Sequence, residues 1–276
     1  MPQEFVNGVQ LFYTYRPARG PGVVFVHGLA ATLAFWYLRI IPLLSQELTV
    51  VLYDLRGHGQ SAMPPTGYTT LHMAEDLHGI LEHLNLRTVH LVGHSFGGAI
   101  ALHYTVLHPE RIASLTLADS RIWSLQPLAR GGARSTDDHT GVATWGDPYL
   151  DALGQPDMGM PLLTEGGAPA ASALLPNRNG RAAHRWLQLI RTTTAPDQIT
   201  QVAGLTPEVI RDVRQPVLLM YGEHSHCLPS CQRMAEQLRH SLVVLVPNAG
   251  HFHPITRPSF FAKELTNFVG SQAIPQ

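Results

Sequence analysis

The stretch Val89-His90-Leu91-Val92-Gly93-His94-Ser95-Phe96-Gly97-Gly98 decides how this chain folds. An apolar run ends at Gly93, Ser95 follows two residues later, and a helix-like run at 99–108 comes after two further glycines. This G-x-S-x-G pattern is typical of a sharp strand-to-helix turn that holds its serine in a strained backbone conformation. The flanking glycines lack a Cβ, which allows the strand and the helix to approach closely. We therefore expect Ser95 to be exposed above a sheet, at the positive end of a helix.

Strands and helices alternate on both sides of this turn. Asn7-Gly8, a preferred pair for a two-residue turn, predicts a hairpin at the start of the chain. Continuous apolar runs predict buried strands at 23–27, 48–53, 88–92, 113–118, 217–221 and 242–246. Helical patterns are found at 35–46, 71–84 and 259–269, and we expect Pro42 to interrupt the first of these helices early or to kink it. Because the strands are apolar on both faces and are separated by helices, they indicate a parallel sheet covered on both sides.

One long segment interrupts the alternation. No buried strand is predicted from about residue 121 to residue 214, and the first part of this segment is rich in Gly, Pro, Ala and Asp. Since so long a structureless loop is implausible inside a compact domain, we expect an inserted cap. The predicted division is a core at 1–122 and 206–276 with a cap at 123–205, in which 181–192 is the clearest helix.

Composition limits the partners. The 276 residues carry a net charge of -1, so there is no basic field to attract nucleic acid. The two cysteines indicate reduced thiols rather than a disulfide framework. A secretory signal and a membrane-spanning stretch are not recognised. We therefore expect a cytoplasmic protein that takes a small-molecule substrate, without nucleic acid or membrane as partner, and of undetermined oligomeric state.

A serine hydroxyl needs a general base, and the base needs an orienting partner. Of the 16 histidines, His251 is the best candidate base. It lies in the loop after the last predicted strand, at the edge of the sheet where the Ser95 turn is expected. His253 is the alternative in the same loop.

Four motifs in order resemble those of the α/β-hydrolase family: His27-Gly28-Leu29-Ala30, the 53–61 segment, the Ser95 turn and Gly250-His251. The resemblance covers nearly the whole chain. It implies the α/β-hydrolase fold, with a mostly parallel eight-stranded sheet, helices on both faces and an inserted cap. It also implies an oxyanion hole formed by the backbone N–H groups of Leu29 and Phe96. Asp54, within the 53–61 segment, is interpreted as part of a structural turn.

The acid departs from the common pattern of this family. The usual aspartate of the Gly-x-x-Asp context is replaced by Ser225 in Gly222-Glu223-His224-Ser225. Some family members take the acid from the end of the preceding strand, where this chain has Asp119. We therefore predict Asp119 as the triad acid, with Glu223 as the alternative acid and an incomplete triad as the third possibility.

The segment after 217–221 contains several side chains that can bind metals. His224, His226, Cys227 and Cys231 lie within eight residues, but their spacing matches no established zinc motif. Cys227 is interpreted as a small apolar filler, and no phosphate-binding glycine loop is recognised. The sequence therefore predicts neither a metal site nor a cofactor.

Together these residues predict a cofactor-independent serine hydrolase. It would cleave an ester-like carbonyl (a carboxylic ester, a lactone or a thioester) through an acyl-enzyme on Ser95. Two alternatives stay open. One is a C–C bond hydrolase or a cofactor-free oxygenase on the same fold. The other is a non-catalytic small-molecule receptor.

Overall fold

The computed structural model describes residues 2–127 and 181–272, together with the backbone of two short strands at 135–136 and 143–144. The strands within these ranges are β1 (Gln3–Val6), β2 (Val9–Arg16), β3 (Gly22–Val26), β4 (Thr49–Tyr53), β5 (Val89–His94), β6 (Ile112–Ala118), β7 (Ser135–Thr136), β8 (Ala143–Thr144), β9 (Val217–Gly222) and β10 (Ser241–Val246). β7 and β8 pair only with each other.

The other eight strands form one sheet in the order β1-β2-β4-β3-β5-β6-β9-β10. β2 is antiparallel to both of its neighbours, and the remaining pairs are parallel. Asn7 and Gly8 join β1 to β2 with φ angles of 47° and 74°, the left-handed values that a two-residue hairpin turn needs. The predicted mostly parallel eight-stranded sheet is confirmed.

Within 2–127 and 181–272 the helices are α1 (Ala34–Tyr37), α2 (Thr70–His83), α3 (Phe96–Leu107), α4 (Arg181–Thr192), α5 (Ala195–Gln198), α6 (Pro207–Arg211), α7 (Leu228–Gln237), α8 (His253–Thr256) and α9 (Pro258–Ser271). The helix predicted at 35–46 is shorter than expected, and the interruption expected at Pro42 is found. Only α1 and a 3₁₀ turn at Ile41–Leu43 form there, because Pro42 has no N–H to continue a helix. No helix in the described part of the chain has the length and apolar character needed to cross a bilayer.

Both faces of the sheet are covered by helices. Within β3, Val24 and Val26 belong to one apolar cluster, while Val23 and Phe25 belong to the other. The first cluster contains buried side chains of α2, α3 and α7, and the second contains those of α1 and α9. This alternation is the period-2 pattern of a strand buried on both faces.

The topology brings four loops together at one edge of the sheet. β5, β6, β9 and β10 are successive parallel neighbours, so their carboxyl ends lie side by side. Ser95 follows β5, Asp119 follows β6, and His251 lies in the loop after β10. The loop between β9 and α7 supplies 223–227. In open α/β sheets this edge is where ligands bind.

The cap prediction is tested only in part. α4 has the predicted bounds of 181–192, and Trp186 and Leu189 are buried on one side of it. It packs on the loop after β4: a Cβ on Gly57 would lie 2.0 Å from Leu189 Cδ1, and Arg185 donates a hydrogen bond to the carbonyl oxygen of Ser61. Residues 128–180, most of the predicted cap, lie outside the described residues, so the domain division stays a prediction.

Candidate active site

The turn between β5 and α3 holds Ser95 in a strained conformation. Its φ is 54° and its ψ is -123°, outside the regions that non-glycine residues favour. A Cβ on Gly93 would lie 2.5 Å from the Gly97 carbonyl oxygen, and a Cβ on Gly97 would lie 2.4 Å from the Val26 carbonyl oxygen. Both positions therefore require glycine. The backbone N–H of Ser95 donates a hydrogen bond to the Ala118 carbonyl oxygen at 2.9 Å, which ties the turn to the end of β6. Contrary to the expected exposure, Ser95 is only 6% exposed.

Two backbone N–H groups border Ser95. Phe96 is the first residue of α3, where an N–H has no acceptor within the helix. Leu29 lies in the loop after β3. Among the turn and loop hydrogen bonds of residues 2–127 and 181–272, the backbone N–H groups of Leu29 and Phe96 donate to no backbone carbonyl. A Cβ on Gly28 would lie 3.0 Å from Ser95 Cβ, so this loop passes directly beside the serine. The arrangement supports the prediction of Leu29 and Phe96 as oxyanion donors.

His27 fixes the loop that carries Leu29. Its Nε2 accepts a hydrogen bond from the Leu55 N–H at 3.1 Å, so Nδ1 carries the proton and donates to the Gly28 carbonyl oxygen at 2.8 Å. Burial lowers the pKa of His27 to about 4, which keeps the ring in the neutral form that both bonds need. His27 is thus a positioning residue for the loop beside Ser95.

His94 connects the Ser95 turn to the loop that carries His251. Its Nε2 donates to the backbone carbonyl of His251 at 2.9 Å, and the two ring centroids are 4.8 Å apart. On its other side the His94 ring stacks on Phe35 at 4.5 Å. Burial lowers the pKa of His94 to about 3, so the ring is neutral and acts as a structural donor. Through this contact the structure brings Ser95 and His251 to the same edge of the sheet.

The His251 ring lies in an apolar and histidine-rich environment. It is 7% exposed, and burial, followed by the neighbouring His94, His226 and His253, lowers its pKa well below 6.5. The ring is therefore neutral at pH 7, the form that can accept a proton. Its Nδ1 lies 3.7 Å from Cys227 Sγ. A thiol thus occupies a position beside the nitrogen that a triad carboxylate would orient.

Asp119 does not orient His251, and this prediction is corrected. The Asp119 carboxylate is fully buried, and its Oδ2 lies 3.0 Å from His253 Nε2 and accepts the Gly222 N–H at 2.9 Å. His253 Nε2 is also 3.0 Å from the Met220 carbonyl oxygen, so this nitrogen carries the proton. His253 is the first residue of α8. Its fully buried side chain lies against Asp119 at the end of β6. Asp119 therefore ties the β10–α8 loop to the sheet.

We expect Asp119→Asn to lower the stability of the fold rather than the catalytic rate. We expect kcat to fall by less than about 10-fold, whereas loss of a true triad aspartate costs on the order of 10⁴-fold. The free energy of unfolding should fall by about 1–2 kcal/mol, because the bonds to His253 and Gly222 lose their ionic acceptor. Steady-state kinetics and urea unfolding on one protein sample measure both. A kcat at least 100-fold lower at unchanged stability would restore Asp119 as the triad acid (an order-of-magnitude threshold).

Glu223, the alternative acid, is also excluded by its position. Its side chain is exposed, and Oε2 accepts the backbone N–H of Asn248 at 3.0 Å. Ser225, at the usual place of the acid, is buried, and its Oγ accepts the Cys227 N–H at 3.0 Å. Glu223 and Ser225 therefore shape the β9–α7 loop.

Asp54 has the structural role predicted for it. Its two carboxylate oxygens accept the backbone N–H groups of Leu33 and Gln60, each at 2.8 Å. The following Arg56 forms a buried bidentate ion pair with Asp76 on α2. These contacts hold the β4 loop under α4 and leave Asp54 committed to backbone donors.

Two residues near His251 were not expected there. His226 lies with its ring centroid 4.7 Å from that of His251, and Cys227 Sγ contacts Nδ1. The available signal was the loss of the usual acid at Ser225. It indicates a departure from the usual acid, but a separation of 24 residues in the sequence does not show that Cys227 lies beside His251.

Known proteins resemble this chain over most of its length. Residues 21–258 match the family model of the alpha/beta hydrolase fold. The chain is 25% identical over 287 residues to the uncharacterized hydrolase YugF of Bacillus subtilis, covering 96% of each chain. It is 28% identical over 263 residues to the 2-(acetamidomethylene)succinate hydrolase of Mesorhizobium japonicum, covering 91% of this chain and 88% of that protein.

Solved structures show the same architecture. Est816, an N-acyl homoserine lactone degrading enzyme, superposes with a TM-score of 0.77 at 22% identity, covering 97% of this chain and 100% of that chain. The enol-lactonase from Burkholderia xenovorans LB400 superposes with a TM-score of 0.72 at 20% identity, covering 98% of this chain and 100% of that chain. At these identities the likeness concerns the fold.

Proposed function

The chain belongs to the α/β-hydrolase family, and from this premise we propose that it is a serine hydrolase of ester-like carbonyl compounds. The substrates we propose are carboxylic esters, lactones or thioesters. The observation that carries the proposal is the strained Ser95, held at the N-terminus of α3 beside two backbone N–H groups. Family relatives that carry the name hydrolase support the general activity.

The first chemical step follows from the placement of these groups. Ser95 Oγ attacks the carbonyl carbon, and His251, neutral at pH 7, accepts its proton through Nε2. The oxyanion that forms is held by the N–H groups of Leu29 and Phe96. Loss of one such donor costs about 3 kcal/mol of barrier in a well-studied case, so these dipoles supply a large share of the rate enhancement.

The second step regenerates the serine. His251 returns its proton to the leaving alcohol or thiol, and then activates a water molecule that hydrolyses the acyl-enzyme. A buried thiol at Nδ1 stabilises the imidazolium less than a carboxylate would. The oxyanion donors lower the barrier of both steps, because each step passes through a tetrahedral intermediate.

A substrate panel tests the proposal. Short p-nitrophenyl esters, simple lactones and acyl thioesters are assayed in chelator, and pre-steady-state release of p-nitrophenol is followed. We expect turnover and a burst equal to the enzyme concentration, because an acyl-enzyme accumulates. Cleavage of a β-diketone or oxygen uptake without ester turnover would favour the C–C hydrolase or oxygenase alternative. Binding without any turnover would favour a receptor.

A further inference from the structure

Three metal-ligating side chains converge at the edge of the sheet where the Ser95 turn also lies. His226, Cys227 and His251 each offer one ligand atom, and these three atoms all lie within 4.8 Å of one another. Cys227 and His251 are buried, and His226 is half-buried. Of the four residues weighed from the sequence, the structure keeps His226 and Cys227 and adds His251 from the β10–α8 loop, which sequence spacing could not reveal.

The spacing suits a tetrahedral metal. Zinc binds sulfur at about 2.3 Å and imidazole nitrogen at about 2.0–2.1 Å, so a tetrahedral angle separates the two ligand atoms by roughly 3.6 Å. Cys227 Sγ and His251 Nδ1 are 3.7 Å apart. The ligand atom of His226 lies within 4.8 Å of the other two, so metal binding would require it to move closer to them.

The surroundings hold the ligands in place. Cys227 stands at the N-cap of α7, a helix of 10 residues. Its N–H donates to Ser225 Oγ, and the His226 carbonyl accepts Gln126 Nε2 at 2.8 Å. Such outer contacts orient ligands and raise metal affinity.

We propose that His226, Cys227 and His251 form a site for Zn²⁺, and that the bound ion switches off the chemistry of Ser95. Two imidazoles and one thiolate leave a fourth tetrahedral position for water. Coordination through Nδ1 leaves the proton of the neutral His251 ring on Nε2. That nitrogen then has no lone pair to accept the Ser95 proton. The inhibition rests on the proposed function, whereas the binding site does not.

Cobalt provides a spectroscopic probe. Metal-free protein is titrated with Co²⁺ under reducing conditions, and the near-ultraviolet thiolate-to-cobalt band and the visible bands of tetrahedral Co²⁺ are recorded. We expect one equivalent to bind, with loss of both signals when Zn²⁺ is added. Cys227→Ser should abolish the thiolate band, while Cys231→Ser, which changes the other buried cysteine, should keep it.

A second pair of variants tests the histidine. His226→Gln should weaken Co²⁺ binding at least about 100-fold, because loss of an outer contact alone costs 10–100-fold. His224→Gln is the matched control, since His224 is exposed and outside the cluster. A thiolate band that persists in Cys227→Ser, or equal weakening by both histidine variants, would overturn the site.

Inhibition is measured separately. Zn²⁺ should lower ester turnover of the unmodified protein, and EDTA should restore it. Each variant is compared with its own metal-free rate, and His226→Gln should need about 100-fold more Zn²⁺ for the same inhibition, in line with its weaker binding. Stoichiometric Co²⁺ binding without inhibition by Zn²⁺ would overturn the switch. A protein without ester turnover would refute the proposed function, and the cobalt spectra would still decide whether the site exists.

Discussion

Ser95→Ala is expected to lower kcat for ester hydrolysis by at least about 100-fold while the protein stays folded. The lost group is the proposed nucleophile, so no acyl-enzyme forms and the pre-steady-state burst disappears. Ser95 makes no side-chain cap bond to α3, and removing its hydroxyl therefore leaves the turn intact. Turnover assays in EDTA, together with thermal unfolding, measure both parts of this expectation.

The size of the effect follows from the partner of His251. In subtilisin, loss of serine or histidine costs about 2 × 10⁶ in kcat, and loss of aspartate alone costs about 3 × 10⁴. In that enzyme, the serine and histidine without the aspartate therefore still accelerate the reaction by roughly 100-fold. Here a thiol lies beside His251 Nδ1. We thus expect the cost of Ser95→Ala to exceed 100-fold (an order-of-magnitude bound).

Ser120→Ala is the matched control. Ser120 is a fully buried serine beside the same turn, and a Cβ on Gly98 would lie 1.7 Å from its Oγ. Its hydroxyl has no hydrogen-bond partner within the described ranges, so its removal should affect neither rate nor fold. Equal loss of activity in both variants would mean that Ser95→Ala acts by disturbing the turn.

His251→Gln is expected to produce a loss as large as that of Ser95→Ala. The two residues act as one unit, so the double variant should be no slower than either single variant. Glutamine has no basic nitrogen, and Ser95 Oγ would attack without a proton acceptor. Kinetics of the two single variants and the double variant test this non-additivity. Independent, multiplying losses would contradict a shared step.

His253→Gln is its control. His253 is two residues from His251 and equally buried, but it binds Asp119 and the Met220 carbonyl. Its replacement should lower the free energy of unfolding by about 2 kcal/mol, because a buried carboxylate loses a donor. Activity of the folded fraction should fall far less than in His251→Gln. The reverse pattern would make His253 the base.

Local signals explain what could be predicted from the sequence. The hairpin at Asn7-Gly8 and the Ser95 turn depend on backbone conformations that glycine and asparagine favour, and these are visible in neighbouring residues. The bounds of α4 follow from its helical spacing of apolar residues. The helix expected at 35–46 is interrupted for an equally local reason, because Pro42 has no N–H to donate to the preceding turn.

The acid could not be assigned from the sequence. Asp119 lies at the edge of the sheet where the triad acid is expected. From the sequence alone, either His251 or His253 could be its partner, because both follow β10 and are only two residues apart. The structure separates them: His253 begins α8 and points to Asp119, while His251 Nδ1 lies beside Cys227. A difference of two residues in a loop depends on tertiary packing, which composition and spacing do not encode.

The metal-ligating cluster was hidden for a related reason. Zinc motifs are recognised when ligands are close in sequence, and here His251 comes from another loop. Only the parallel pairing of β9 with β10 brings the two loops together. Cys231 lies within α7 and belongs to the same apolar cluster as Cys227, but in the described part of the chain only Cys227 joins the three-residue group.

The most direct test of the central claim is labelling with a fluorophosphonate, which reacts with a serine only when a base activates it. Protein in EDTA is treated with the probe, digested and analysed by tandem mass spectrometry. We expect one label, on the peptide containing Ser95, and this label should be absent from Ser95→Ala and form much more slowly in His251→Gln. Labelling of another residue, or ester turnover with Ser95 unlabelled, would contradict this expectation.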